Sequence, residues 1–275
     1  EIAENHNVGR ATIGKVQRWL TSGFGGYDEA IENYKKALFR CEKSNREDSK
    51  SSIYTSLGAV YRYQGNYPIA IEYYTKSLEY NQKIHDTLRI AKNLSNLGDA
   101  YTASDNYDKG LEYSLQSLKY SKKIGNRSLT NNTTILLGNI YMNKHQYEKS
   151  LQYYNESLKI SQEINHLDQK AMSLYNIGEI YLILNKPLIA REKFIEARET
   201  GKEIGYKRLL SYSLLGIAES HILESEYQTA LPYALDGKAY ALELNMLDPQ
   251  KKAEELLSFI YENTGDYENA LKSHQ

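Results

Sequence analysis

One cysteine and four prolines in 275 residues exclude several architectures before any pattern is sought. Cys41 has no partner for an internal disulfide, so the chain is not a disulfide-stapled secreted domain. So few prolines rule out a proline-rich linker and leave long helices unbroken. Charge of one sign is missing as well. The 34 Lys+Arg stand against 35 Asp+Glu, so the bulk field selects neither nucleic acid nor an anionic membrane. No apolar run approaches the ~20 residues of a membrane span. A cytoplasmic protein with no membrane contact is the expectation. The chain opens on Glu1 without a basic-then-apolar leader, which reads as a fragment of something longer. Tyrosine, by contrast, is plentiful: 26 of them suit helices packed through aromatic side chains.

Self-comparison gives a period of 40 residues. Leu57-Gly58 with Tyr61 recurs as Leu97-Gly98 with Tyr101, Leu137-Gly138 with Tyr141, and Ile177-Gly178 with Tyr181. Later copies read Ala218 with His221, and Ser258 with Tyr261. A column of small residues runs Ala30, Ala70, Gly110, Ser150, Ala190, Ala230, Ala270, and another runs Ala37, Ser77, Ser117, Ser157, Ala197, Gly237. Small residues in register mark places where helix axes approach within about 8–10 Å, so each period reads as two antiparallel helices. Ile71, Tyr74 and Leu78 share one face of the second helix. The turn between the two helices is marked by Gly65-Asn66, Asp105-Asn106 and Gly265-Asp266. Asn45, His85, Gly125, Asn165, Gly205 and Asn245 form a column that tolerates positive φ and should stop each second helix. Asp48, Ser128, Asp168 and Asp248, three residues later, are expected to cap the next first helix, with weaker starts at Leu88 and Arg208. Pro187, which replaces a Tyr, and Gly216, displaced from its column, mark copies expected to pack differently.

Leu57-Gly58-x-x-Tyr61, Gly65-x-Tyr67 and Ala70-x-x-x-Tyr74 together resemble the tetratricopeptide repeat, over roughly residues 25 to 275. The family unit is 34 residues; these carry six more, about 9 Å of added helix. The resemblance implies an all-α fold: an α-solenoid in which stacked antiparallel helix pairs wind into a right-handed superhelix with a concave inner surface. The expected organisation over residues 26–275 is one second-helix half-repeat, five full repeats and one truncated repeat.

Residues 1–25 break the pattern. Gln17 and Arg18 stand where the Leu-Gly pair belongs. The run Val8-Gly9-Arg10-Ala11-Thr12-Ile13, followed by Val16, Leu20 and Gly25-Gly26-Tyr27, resembles the helix-turn-helix of the Trp repressor family. That resemblance implies a second helix in the major groove, with Arg10 and Thr12 as base or phosphate readers and Lys15 and Arg18 as phosphate holders. Nucleic acid would be a partner through this segment only. The competing reading is a helix that caps the first hairpin through Ala11, Ile13, Val16, Trp19 and Leu20.

Nothing in the sequence carries catalysis. The six histidines have no i, i+4 pair of the kind a helical zinc site uses, and no phosphate loop or nucleophile elbow occurs, so no metal or cofactor is expected. His85 belongs to a stop column and His221 to the aromatic column, both structural roles. Cys41 reads as a small buried hydrophobe. The expected working surface is the one lined by first helices, at positions two before, one after and five after the glycine column. These positions hold Ser56, Asn96, Leu136 and Asn176; Ala59, Asp99, Asn139, Glu179 and Glu219; and Tyr63, Ala103, Asn143 and Ile183. A ladder of Asn96, Asn139, Asn143 and Asn176 suits the backbone of an extended peptide, since each amide both donates and accepts. Asp99, Glu179 and Glu219 favour a basic partner. In relatives that grip an acidic chain terminus, the matching places hold lysine, asparagine and arginine. Here they hold Thr55, Ala59, Asn96, Asn132 and Leu136, so only Asn96 fits that use. The expected function is a non-enzymatic module that binds a peptide or helical segment of another protein. The alternatives are the regulatory part of a DNA-binding regulator, or a spacer whose polar face is merely solvated.

Overall fold

The computed structural model describes residues 26–43 and 47–273. Arg10, Thr12, Lys15 and Arg18, and with them the choice between helix-turn-helix and cap, lie outside the described residues. So do His6 and His274.

Thirteen helices and no strand occur among the described residues: α1 (Tyr27–Lys43), α2 (Glu47–Tyr63), α3 (Tyr67–Lys83), α4 (Thr87–Ala103), α5 (Tyr107–Lys123), α6 (Arg127–Asn143), α7 (Tyr147–Glu163), α8 (Leu167–Ile183), α9 (Pro187–Glu203), α10 (Lys207–Ile222), α11 (Tyr227–Glu243), α12 (Leu247–Thr264) and α13 (Tyr267–Ser273). They fall into two compact units, one ending at Asn126 and the other starting at Arg127. Inside each unit consecutive helices pack on one another, and each first helix also touches the next first helix. The all-α repeat fold expected from the 40-residue period is therefore present. The prolines sit where a helix tolerates them, with Pro68, Pro187 and Pro249 in first turns; only Pro232 lies inside a helix, α11.

Most helices are 17 residues long and three residues separate them, so one turn geometry repeats throughout. At its centre is a left-handed residue: His85, Gly125, Asn165, Gly205 and Asn245 between repeats, and Gly65, Asp105, His145, Asn185, Ser225 and Gly265 within them. Each turn closes with two backbone bonds. Asp86 N donates to Asn81 O at 3.0 Å and His85 N to Gln82 O at 3.2 Å, a pattern repeated at every described turn. The stop column is as expected at its five described members, with Asn45 outside the described residues, but the cap column is two residues too late. The cap residue of the next helix directly follows the left-handed residue, so the cap position is held by Asp86, His166, Tyr206 and Met246. Asp86 accepts from Arg89 N at 2.9 Å, which makes the start near Leu88 well capped rather than weak. Asp168 and Asp248 stand in the first turn instead, where a negative charge meets the positive end of the helix dipole.

The glycine column works by close approach. A Cβ on Gly58 would come 2.7 Å from the Tyr74 ring, and one on Gly138 would come 2.5 Å from Tyr154. Gly178 and Gly216 press on opposite edges of Phe194, each leaving 2.7 Å for a Cβ, so the displaced Gly216 completes a clamp around a ring from both α8 and α10. The tyrosine column forms nearly parallel pairs: Tyr61–Tyr73, Tyr101–Tyr113 and Tyr141–Tyr153, with centroids 5.3–5.7 Å apart. His221 takes a tyrosine's place, buried and stacked 5.6 Å from Tyr233. Cys41 is half-buried rather than buried.

The serine column lies on seams between helices and is polar in a specific way. In the first unit Ser77 Oγ contacts Ser51 Oγ at 3.0 Å and Thr55 Oγ1 at 2.8 Å, and accepts from Asn93 Nδ2 at 2.9 Å, while Ser51 Oγ donates to Asn81 Oδ1 at 2.9 Å. This small network ties α2, α3 and α4 together. In the second unit the column is still polar at Ser157, whose Oγ lies 2.8 Å from Ser173 Oγ, and then turns apolar, with Ala197 buried and Gly237 pressed on Leu215.

Candidate functional site

First helices place the predicted polar residues at their exposed edges, and the structure sorts those residues by what they already hold. In the first unit Asn96 is half-buried and free of side-chain bonds to described residues. Asp99 is engaged: Arg62 Nη2 donates to its Oδ1 at 2.9 Å, and Nε lies 2.5 Å from Oδ2. A paired carboxylate offers a partner little net charge, so Asp99 is part of the joint between α2 and α4 more than a lure for a cation. Its partner 37 residues earlier was not singled out in the sequence.

The second unit gathers the rest. Asn139 on α6 is half-buried and accepts from the Tyr154 hydroxyl at 2.6 Å, which leaves its amino group free. Burial pushes the Tyr154 phenol well above its ordinary range, so it remains a donor. Asn143, one turn on, is exposed, and Asn176 on α8 is half-buried; neither side chain bonds a described residue. Leu136 was expected on this edge and is instead buried in the helix contact, so the row is broken there.

Glu179 on α8 and Glu219 on α10 occupy equivalent positions on first helices that pack together. Burial raises the Glu179 carboxyl above its ordinary value, and Glu219 adds to that; a hydrogen bond from Tyr175 and the charge of Lys252 oppose it. Lys252 on α12 is committed to Glu219, Nζ to Oε2, at 2.8 Å. Glu179 therefore has no ion pair with any described residue. Tyr175 is flanked by Phe194 at 5.5 Å and Tyr212 at 5.8 Å. One turn further along each helix the exposed edge becomes aliphatic: Ile183 is 50% exposed and Leu223 47%. Sequence reasoning named Glu179, Glu219 and Ile183 but missed Tyr175, Tyr212, Leu223 and Lys252. Leu223 falls in the same register as Ile183, so the period itself pointed to it.

Among the described residues no three His, Cys, Asp or Glu side chains form a group that would hold a metal, and no helix is long and apolar enough to cross a membrane.

The family model described as Tetratricopeptide repeat matches residues 23–83, 89–163 and 129–203, more than half of the chain. The chain belongs to the tetratricopeptide repeat (TPR) family. Its TPR helices are similar to those of a signal transduction ATPase with numerous domains and a tetratricopeptide repeat sensor from Pyrococcus horikoshii. That likeness has a TM-score of 0.79 at 22% identity and covers 96% of this chain but 40% of the other. Aspartyl phosphate phosphatase F from Bacillus subtilis gives 0.73 at 16% identity over 98% and 69% of the two chains. A Rap protein complexed with Competence and Sporulation Factor gives 0.68 at 16% identity over 90% and 77%. At these identities the likeness establishes the TPR fold alone. No curated protein matches the chain.

Proposed function

We propose that this TPR chain is a non-enzymatic interaction module that binds a peptide segment of another protein along the first helices of its second unit. The observation that carries the reading is the state of Asn143, Asn176 and Glu179. They lie at the accessible edge of successive first helices and are unpaired or under-paired within their own unit, whereas the buried Ser157 and Ser173 hydroxyls bond each other and Asn131 Nδ2 donates to Ser161. Asparagine side chains with both functions free suit a peptide backbone, which presents a donor and an acceptor at each residue. The Rap neighbour, solved in complex with Competence and Sporulation Factor, supports a bound partner for a chain of this fold.

The test is capture from a lysate of the cells that make the protein, with wild type against an Asn139→Ala/Asn143→Ala/Asn176→Ala variant of unchanged helix content. A protein held by wild type and lost by the variant supports the reading. Equal capture by both would remove the first-helix edge from consideration and leave that edge a solvated face.

A further inference from the structure

The chemistry of the partner follows from the α8–α10 face, on the reading just given. Three features meet there. Glu179 has no ion pair with any described residue, while Lys252 beside it serves Glu219. The two carboxylates and Lys252 leave one negative charge uncompensated. Ile183, the last residue of α8, and Leu223, the helix-like residue just after α10, stand four residues after Glu179 and Glu219, hence about one turn away on the same side, and both are about half exposed. Tyr175 and Tyr212, both half-buried, pack ring on ring beside the carboxylates, with centroids 5.8 Å apart.

These features discriminate among occupants. An anionic segment would add a third negative charge to a pair that already disfavours the ionised form. A wholly apolar segment would cover Glu179 without supplying a counter-ion, leaving a charge stranded out of water. A cationic side chain satisfies the carboxylate, and a guanidinium also stacks on tyrosine rings. Spacing is constrained too. Packed helices lie about 8–10 Å apart, and a polyproline II segment brings every third residue to the same side after about 9 Å. Two aliphatic side chains three residues apart would then reach the Ile183 and Leu223 edges of adjacent helices.

We propose that the α8–α10 face takes an extended segment of another protein that carries Arg or Lys within an aliphatic-x-x-aliphatic frame. The aliphatic pair seats on Ile183 and Leu223, and the cation enters beside Glu179 and Glu219.

Random short peptides displayed on phage and selected on the full chain test this directly. Enriched peptides should share the frame and the cation. Synthesised and titrated by fluorescence anisotropy, they should bind Glu179→Gln about 30-fold more weakly, the loss expected when one partner of a covered charge pair is removed. Replacing the peptide's Arg with Gln should cost as much against wild type and little more against Glu179→Gln. Glu219→Gln is the second variant: it releases Lys252 beside the site and should weaken the same peptides. Ile183→Ser/Leu223→Ser should remove the preference for the aliphatic spacing. Peptides that require Asn143 and Asn176, lack any cation and bind Glu179→Gln like wild type would overturn this inference and leave the proposed function standing. An absence of enriched peptides, or peptides indifferent to every one of these substitutions, would overturn both.

Discussion

A Cβ on Gly138 would lie 2.5 Å from Cε1 of Tyr154, closer than any ordinary carbon contact. Tyr154 has little room to retreat, because it is 1% exposed and its hydroxyl is held by Asn139 at 2.6 Å. The glycine is therefore half of a matched pair: absent side chain on α6, full aromatic on α7. In the fifth repeat the corresponding positions are Ala218 and Ala234, both fully buried, so the same helix contact is filled from both sides equally. Gly138→Ala should cost about 1–3 kcal/mol by overpacking. Introducing Tyr154→Ala alongside recreates the alanine pair, so the second change should cost much less in the Gly138→Ala background than alone. Urea denaturation of the four proteins measures the coupling. Strictly additive losses would mean the two residues do not share one contact.

The buried network around Ser77 makes a less intuitive prediction. Alanine is the natural residue at the equivalent position 197, so Ser77→Ala looks harmless by analogy between repeats. Yet Ser77 meets Ser51, Thr55 and Asn93, and its loss leaves those groups short of a partner in a buried seam. The expected cost is about 1–3 kcal/mol. Ser211→Ala removes one described bond, to Gly237 O at 2.8 Å, and should cost less. Thermal unfolding of the two variants side by side decides it, and equal losses would show that Ser77 is no hub.

What the sequence made legible follows from what is periodic. The glycine, tyrosine and serine columns each recur at the same point of a rigid helix pair, so helix count, pairing and stop residues could be read from spacing alone. The cap column failed because the linker is two residues shorter than its composition implied: Asp86 follows the left-handed His85 directly. The state of the site was harder to see. Whether Asp99 or Glu179 is free depends on a residue of a neighbouring helix, Arg62 for one and none for the other, and such partners break the repeat instead of following it. A weak signal did exist. Asp99 and Arg62 are 37 residues apart and Asn132 and Gln169 are also 37 apart, one period less about one helical turn. That is the separation at which side chains on adjacent first helices meet.

The shifted cap assignment can be checked by substitution. Asp86→Ala removes a side-chain acceptor from Arg89 N and should cost about 0.5–2 kcal/mol. Asp248→Ala removes only a first-turn charge near the dipole of α12, worth about 0.3–1 kcal/mol at low salt and less as salt rises. Chemical denaturation at two salt concentrations separates them: the Asp86 loss should persist in high salt and the Asp248 loss should shrink. The reverse pattern would restore the later column as the true cap.

Glu179 supplies the pH dependence. Burial first and Glu219 second raise its carboxyl above the ordinary value of 4.5, so the fold favours its protonated form. The sign follows from linkage. Its favourable contribution is fully present below the unfolded value and is lost as pH rises through the folded one, so at neutral pH the ionised Glu179 costs stability. Glutamine keeps the neutral shape at every pH and can still accept from Tyr175. Glu179→Gln should therefore melt above wild type at neutral pH, and the gap should close as pH falls toward and below 4.5. Melting curves of the two proteins across that range settle the point. A variant less stable than wild type at neutral pH would mean that an unseen cation already pairs with Glu179. The face between α8 and α10 would then be closed to the cationic segment proposed for it, because a carboxylate that is satisfied within its own fold has no charge left to offer a partner.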